Sequence, residues 1–168
     1  PDPLSAPAFR DLLDMALAKG DRPVMAKLLA PALAAKAGGY SAGQFEAAGR
    51  FLDRLGQHKQ SLATLAKPAD DDLSRRLAEV AGMIEAARKA VADPSRPADE
   101  RAAAAGLLCR EPDHTADDLS RLTALLTPQT PAALQRAAVA SIARAGDDQV
   151  PDALLKGWPS HSPEIRLA

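Results

Sequence analysis

The side chains able to do chemistry are few in this chain and widely scattered. His58, His114 and His161 never stand at the i, i+3 or i+4 spacing that puts two ligands on one helix face. Cys109 is the single cysteine. It can form no internal disulfide and no Cys-x-x-Cys pair, and no Cys-x-x-Cys-His haem attachment occurs. Asp70-Asp71-Asp72 and Asp117-Asp118 gather carboxylates that could hold a divalent cation, yet they lack the Gly and terminal Glu of a calcium loop. Acids at a helix start favour the dipole there, and both clusters read as such starts. Ser5, Ser41, Ser61, Ser74, Ser95 and Ser120 have no Gly-x-Ser-x-Gly context. Gly38-Gly39-Tyr40-Ser41-Ala42-Gly43 precedes a helix and could cradle phosphate. No strand pattern precedes it and no Lys follows in the P-loop place, so it reads as an inter-helix loop. The expectation is therefore no catalytic, cofactor-binding or metal-ligating residue, and no cofactor.

Charge narrows the partners. Arg75-Arg76, Arg88-Lys89 and Arg101 are interleaved with acids, and the net charge is −1 over 168 residues. No field of one sign recruits nucleic acid. No apolar run reaches the roughly 20 residues that cross a bilayer, so direct membrane insertion is not expected. Hydrophobic residues make up 46% of the chain but aromatic ones only 3%, which implies a core of Ala, Leu and Val. The chain starts at Pro1 without Met and carries no signal peptide, which reads as a segment of a longer protein.

The elements that would position these residues are all helical. Phe9, Leu12, Leu13, Ala16 and Leu17 keep the spacing of one apolar helix face behind a Ser5 cap, closed by Lys19-Gly20. Asp21-Arg22-Pro23 opens a second helix, in which Pro31 predicts a kink or break. Ser41 and Gln44 have the spacing of a capping box for a third helix carrying Phe45, Ala48, Phe51, Leu52 and Leu55. A short fourth helix is expected between His58 and Lys67, stopped by Pro68. The longest helix runs from Asp70 to Ala92 with a stripe of Leu73, Leu77, Val80, Ile84 and Val91. Asp93-Pro94-Ser95-Arg96-Pro97 is a stiff turn.

From Arg96 onward the chain repeats. Pro97, Pro131 and Pro163 mark three helix starts, each followed by a short polar step, Arg or Gln, and an apolar run. Arg101 to Gln135 is 34 positions and Gln135 to Arg166 is 31. Second apolar runs, Leu119 to Leu126 and Val150 to Trp158, lie between the starts. Two helices per unit at this period are an α-solenoid signature. In this register Leu134, Val139 and Ile142 face inward, while Gln129, Asp148 and Glu164 sit at exposed turns. Trp158 reads as a wedge between repeats and Cys109 as a small apolar residue.

Leu134-Gln135-Arg136-Ala137-Ala138 and Ile165-Arg166-Leu167-Ala168 resemble the first helix of HEAT-type repeats. The stretch from Leu125 to Arg166 also resembles a repeat region of large planctomycete-type proteins. Those proteins join a dehydrogenase-like β-propeller, a HEAT-like segment and a cytochrome c domain. The resemblance covers about residues 95–168. Helical periodicity in every apolar run predicts an all-α fold of about nine or ten helices, mostly in antiparallel pairs; the resemblance implies a single HEAT-like domain over residues 1–168, an α-α superhelix with degenerate repeats in 1–93 and clearer ones in 94–168. It also implies that Arg101 and Arg166 meet an acid of a neighbouring unit, a ladder that Gln135 interrupts. The function so implied is a non-catalytic scaffold for proteins or sister domains, in an extracytoplasmic redox protein. The rival expectations are a glycosylase- or lyase-like repeat enzyme and a cytoplasmic regulatory adaptor. A base-flipping glycosylase would need a basic stripe and aromatic residues for the displaced base, and this composition lacks both.

Overall fold

The computed structural model describes residues 7–35, 39–67, 70–146 and 150–155. Among these residues the chain is all-α, with no strand. It forms two compact units, residues 1–86 and 87–168, with the division inside one long helix.

Unit 1 begins with α1 (Pro7–Lys19), α2 (Arg22–Leu33) and α3 (Ala42–Gln57), each packed on the other two. A single turn, α4 (Leu62–Leu65), follows, and then α5 (Asp72–Ala92). Phe9, Leu13, Ala16 and Leu17 are buried on α1 as the periodicity requires. Leu12 is not: it is 48% exposed, beside Met15 at 54%. Leu12 sits about 60° round the helix from Phe9, at the edge of the apolar stripe, and the core does not reach it. Gly20 ends α1 at φ +65°, with its own N–H on Leu17 O and that of Asp21 on Ala16 O. This is a Schellman closure, and glycine adopts its left-handed φ without penalty. Asp21 caps α2 through Val24 N–H at 3.1 Å. Pro31 does not break α2 at that point: the helix runs on two residues to Leu33. Proline tells only in the last turn, where the helix is ending and its missing N–H costs one bond.

Gln44 Oε1 accepts the Ser41 N–H at 3.0 Å, the bond expected of a capping box. Phe45, Ala48, Phe51 and Leu55 are buried, and Tyr40 tilts onto Phe45 with ring centroids 5.8 Å apart. The fourth helix is shorter than the sequence suggests, because Lys59 takes φ +54° and Ser61 starts a new cap on Thr64 N–H. In α5 the stripe Leu73, Leu77, Val80 and Ile84 is buried, together with Met83.

Unit 2 takes the end of α5, then α6 (Ala98–Ala105), a 3₁₀ turn at Pro112–His114, α7 (Thr115–Thr123), α8 (Ala132–Arg144) and α9 (Val150–Leu155). The turn before α6 is an Asx turn, with Ser95 N–H on Asp93 Oδ1 at 2.9 Å. Pro97 and Pro131 stand at the N-caps of α6 and α8. The prolines therefore flank the two helix starts as the repeat pattern predicts. Leu107, Leu108, Leu122, Leu126, Leu134 and Ile142 fill the core; Val139 is only half-buried, and Gln129 is exposed. α6 packs on α8, and α7 on both α8 and α9. Asp148, Trp158, His161, Pro163, Glu164, Arg166 and the Ser5 cap lie outside the described residues.

Candidate functional site

Among the described residues, two grooves and two arginine-centred networks gather much of the polar chemistry, and ligand atoms of Glu85, Glu111 and His114 lie within 4.8 Å of one another. In unit 1, Arg22 grips the start of α5. Its Nη2 donates to Asp71 Oδ1 at 2.8 Å and to Ser74 Oγ at 3.0 Å, and its Nε donates to Asp71 Oδ2. Its Nη1 takes Leu65 O at 2.7 Å and Lys67 O at 3.1 Å. Asp71 also caps α5 by accepting Ser74 N–H at 2.9 Å. Of the three acids Asp70-Asp71-Asp72, Asp71 is thus the one that both caps and binds. The Arg22 bond, followed by the Ser74 N–H, holds its carboxyl well below the usual carboxylate range. The same carboxylate raises the Arg22 pKa further.

In unit 2 the network is buried. Arg88 Nε donates to Asp118 Oδ1 at 2.8 Å and Nη2 to Asp118 Oδ2 at 3.1 Å, with side-chain exposures of 6% and 0%. Arg88 Nη2 also reaches Glu111 Oε2 at 2.9 Å. Asp118 Oδ2 accepts the Cys109 N–H at 2.9 Å. That bond fixes Cys109 at φ +58°, a left-handed conformation that costs a β-carbon residue about 1–2 kcal/mol. Asp118 therefore does not serve as a solvated helix-start acid; it joins α5, α7 and the chain between α6 and the 3₁₀ turn. Arg88 is no surface cation either. The sequence carries the signal: Arg88 lies four after Ile84 and three before Val91, in the gap of the apolar stripe.

Cys109 is buried as expected. Burial, then the Asp118 charge, pushes its thiol up to about 11, so at neutral pH it is the protonated, unreactive form. It borders a groove of about 290 Å³ with Arg110, Pro112, Thr115, Ala145 and Gly146. His58 and His114 are exposed, as read from the sequence.

The other groove lies in unit 1, along α1 and α3. It encloses about 200 Å³ between Phe9, Arg10 and Leu13 on α1 and Arg50, Asp53, Arg54 and Gln57 on α3. Arg10 pairs with Asp11 at 3.1 Å and Arg50 with Glu46 at 2.8 Å, both pairs exposed. Arg54 lies 3.4 Å from Asp14 and donates to Gln57 Oε1 at 2.8 Å.

A third device recurs along the chain: a polar side chain in the first turn of a helix reaches back to carbonyls of the preceding segment. Gln44 Nε2 donates to Ala32 O at 3.1 Å and Ala34 O at 2.8 Å. Arg101 takes Val91 O with Nε at 3.1 Å and Nη2 at 2.9 Å. Gln135 Nε2 takes Thr130 O at 3.1 Å and also Thr127 O. Arg101 thus binds a backbone carbonyl where the resemblance implied a neighbouring acid, and Gln135 does the same work with an amide. Ala32 and Val91 stand in the last turns of α2 and α5, whose final carbonyls have no partner within the helix, so Gln44 and Arg101 satisfy them; Gln135 binds carbonyls of the loop after α7. The chain matches no family model, no curated protein and no solved structure.

Proposed function

We propose that this chain is a non-catalytic helical-repeat scaffold of the HEAT-like, α-α superhelix type, binding other proteins or sister domains of its own chain. The observation that carries the reading is the equivalence of Arg101 and Gln135. They stand 34 positions apart, each four residues after a proline N-cap, and each holds carbonyls of the segment before. Two further contacts support it. α6 packs on α8 and α7 on α9, so each helix meets the next but one, as like helices of adjacent repeats do. Ser141 Oγ and Arg144 Nη2 of α8 donate to Ala105 O at 2.8 Å and Gly106 O at 2.9 Å, so α6 and α8 meet at the same ends.

Stacked repeats offer extended surfaces and characteristically bind polypeptide. The extracytoplasmic setting, between a propeller and a cytochrome domain, belongs to the same proposal and rests on the resemblance of residues 95–168. The test is cross-linking through Lys19, Lys27, Lys59, Lys67 and Lys89 in the cells that make the protein, with linked peptides identified by mass. The expected result is a short, reproducible set of polypeptides, or further domains of the same chain, one of which forms a saturable complex when purified. Links no more selective than those of an unrelated helical protein would overturn the reading.

A further inference from the structure

We infer that the groove along α1 and α3 of unit 1 is a binding site for the C-terminal residue of a partner polypeptide, taking its free carboxylate and one apolar side chain. This deepens the scaffold reading and rests on it.

The lining divides into three kinds of group. Phe9 and Leu13, one turn apart on α1, make an apolar wall that the core already holds in place at 7% and 1% exposure. Arg10, Arg50 and Arg54 place three cations on the same small space, against the single acid Asp53. Arg50 and Arg54 stand one turn apart on α3, where like charges repel. The acids that pair with the three arginines, Asp11, Glu46 and Asp14, do not line the groove. An anion placed in it therefore meets an uneven field.

The size selects the ligand. Pockets for drug-sized molecules run to about 300–1,000 Å³, whereas this one encloses about 200 Å³. It has room for one residue, not for a lipid tail or a nucleotide. A chain terminus carries two complementary features. Its carboxylate suits the fork of an arginine, and its side chain suits the Phe9–Leu13 wall. Recognition of a terminal carboxylate is an established mode of peptide binding. The arginines are available because Arg10 and Arg50 are paired only at the surface, where ion pairs exchange at little cost.

The experiment is a titration of the whole 168-residue chain, followed by backbone amide shifts, with three tripeptides. These are acetyl-Gly-Gly-Leu as the free acid, the same peptide as its C-terminal amide, and acetyl-Gly-Gly-Gly as the free acid. The leucine acid should shift amides at 9–13 and 50–57 saturably. The amide and the glycine acid should each bind at least tenfold more weakly. Arg50→Gln should weaken the leucine acid about tenfold while leaving helicity and melting temperature unchanged, since Arg50 pairs only with exposed Glu46. Acid and amide binding alike, shifts lying elsewhere, or Arg50→Gln binding as well as the parent would each overturn the assignment. A cross-linked partner that stays bound to the Arg50→Gln chain would overturn this site alone. Loss of selective cross-links altogether would instead strike the scaffold reading.

Discussion

Each unit turns on one arginine held by one aspartate, and burial makes the two pairs unequal. The Arg22 and Asp71 side chains keep 22% and 34% of their surface in solvent, whereas Arg88 keeps 6% and Asp118 none. Water screens the first pair and can solvate either partner if the other is lost. Asp118 cannot reach water, so losing Arg88 strands its charge in the core. The first is a clasp on a chain connection, and the second is a condition for folding its unit.

The largest effect should come from breaking that comparison directly. Arg88→Met should destabilise unit 2 by about 3–5 kcal/mol, because Asp118 is left buried and unpaired. Arg22→Met should cost unit 1 only about 1–2 kcal/mol. Urea unfolding followed by hydrogen exchange, resolved to each unit, would measure both. Equal losses would show that burial does not set the difference.

Next in size are the helix-start donors. Arg101→Ala and Gln135→Ala should each cost about 1–2 kcal/mol by leaving carbonyls unsatisfied. Arg101→Gln should cost under about 0.5 kcal/mol if the two positions are equivalent. Thermal melts of the three variants suffice, and a glutamine that fails at 101 would break the equivalence.

The units should also answer pH at opposite ends. Asp71 titrates lower folded than unfolded, so its contribution is complete above about 3.8 and is lost as pH falls below that value. Cys109 titrates higher folded, about 11 against 9.0, so its contribution is complete below 9.0 and fades as pH rises towards 11. Hydrogen exchange across this range should therefore show Asp71→Asn removing part of the acid sensitivity of unit 1. Cys109→Ala should remove part of the alkaline sensitivity of unit 2. Effects appearing in the opposite units would sink both assignments.

The smallest effect concerns helix ends. α1 closes on Gly20 and α3 on Lys59, both at positive φ, with the same pair of backbone bonds. Lys59→Gly should stabilise unit 1 by about 0.5–1 kcal/mol by removing a strained β-carbon, net of the looser unfolded chain. A lower melting temperature would show that the Lys59 side chain contributes more than its strain.

Most helices were legible in the sequence because periodicity, caps and breakers agree there. Ser41 with Gln44, Lys19-Gly20, and prolines 97 and 131 each mark an end that the structure keeps. The buried network was not legible, because Asp117-Asp118 looks the same whether it caps a helix or binds an arginine 30 residues earlier. Leu12 misled for the opposite reason. Its spacing fits the apolar stripe, and only tertiary contact decides how wide a stripe the core covers. The α1–α3 groove joins residues some 40 positions apart with no motif between them, so only the fold brings them together.

The helix-start donors bind the one group that every residue of a protein possesses. A joint between two side chains fails when either is replaced, so both must change together as sequences diverge. A joint from a side chain to a backbone carbonyl has only one genetically variable partner. The segment on the receiving side, around Val91 or Thr130, can be rewritten freely as long as its path is kept. The donor itself can be exchanged for any residue with a suitably placed N–H, as Arg101 and Gln135 illustrate. Such joints let the joined segments change far in sequence while the path of the chain stays the same.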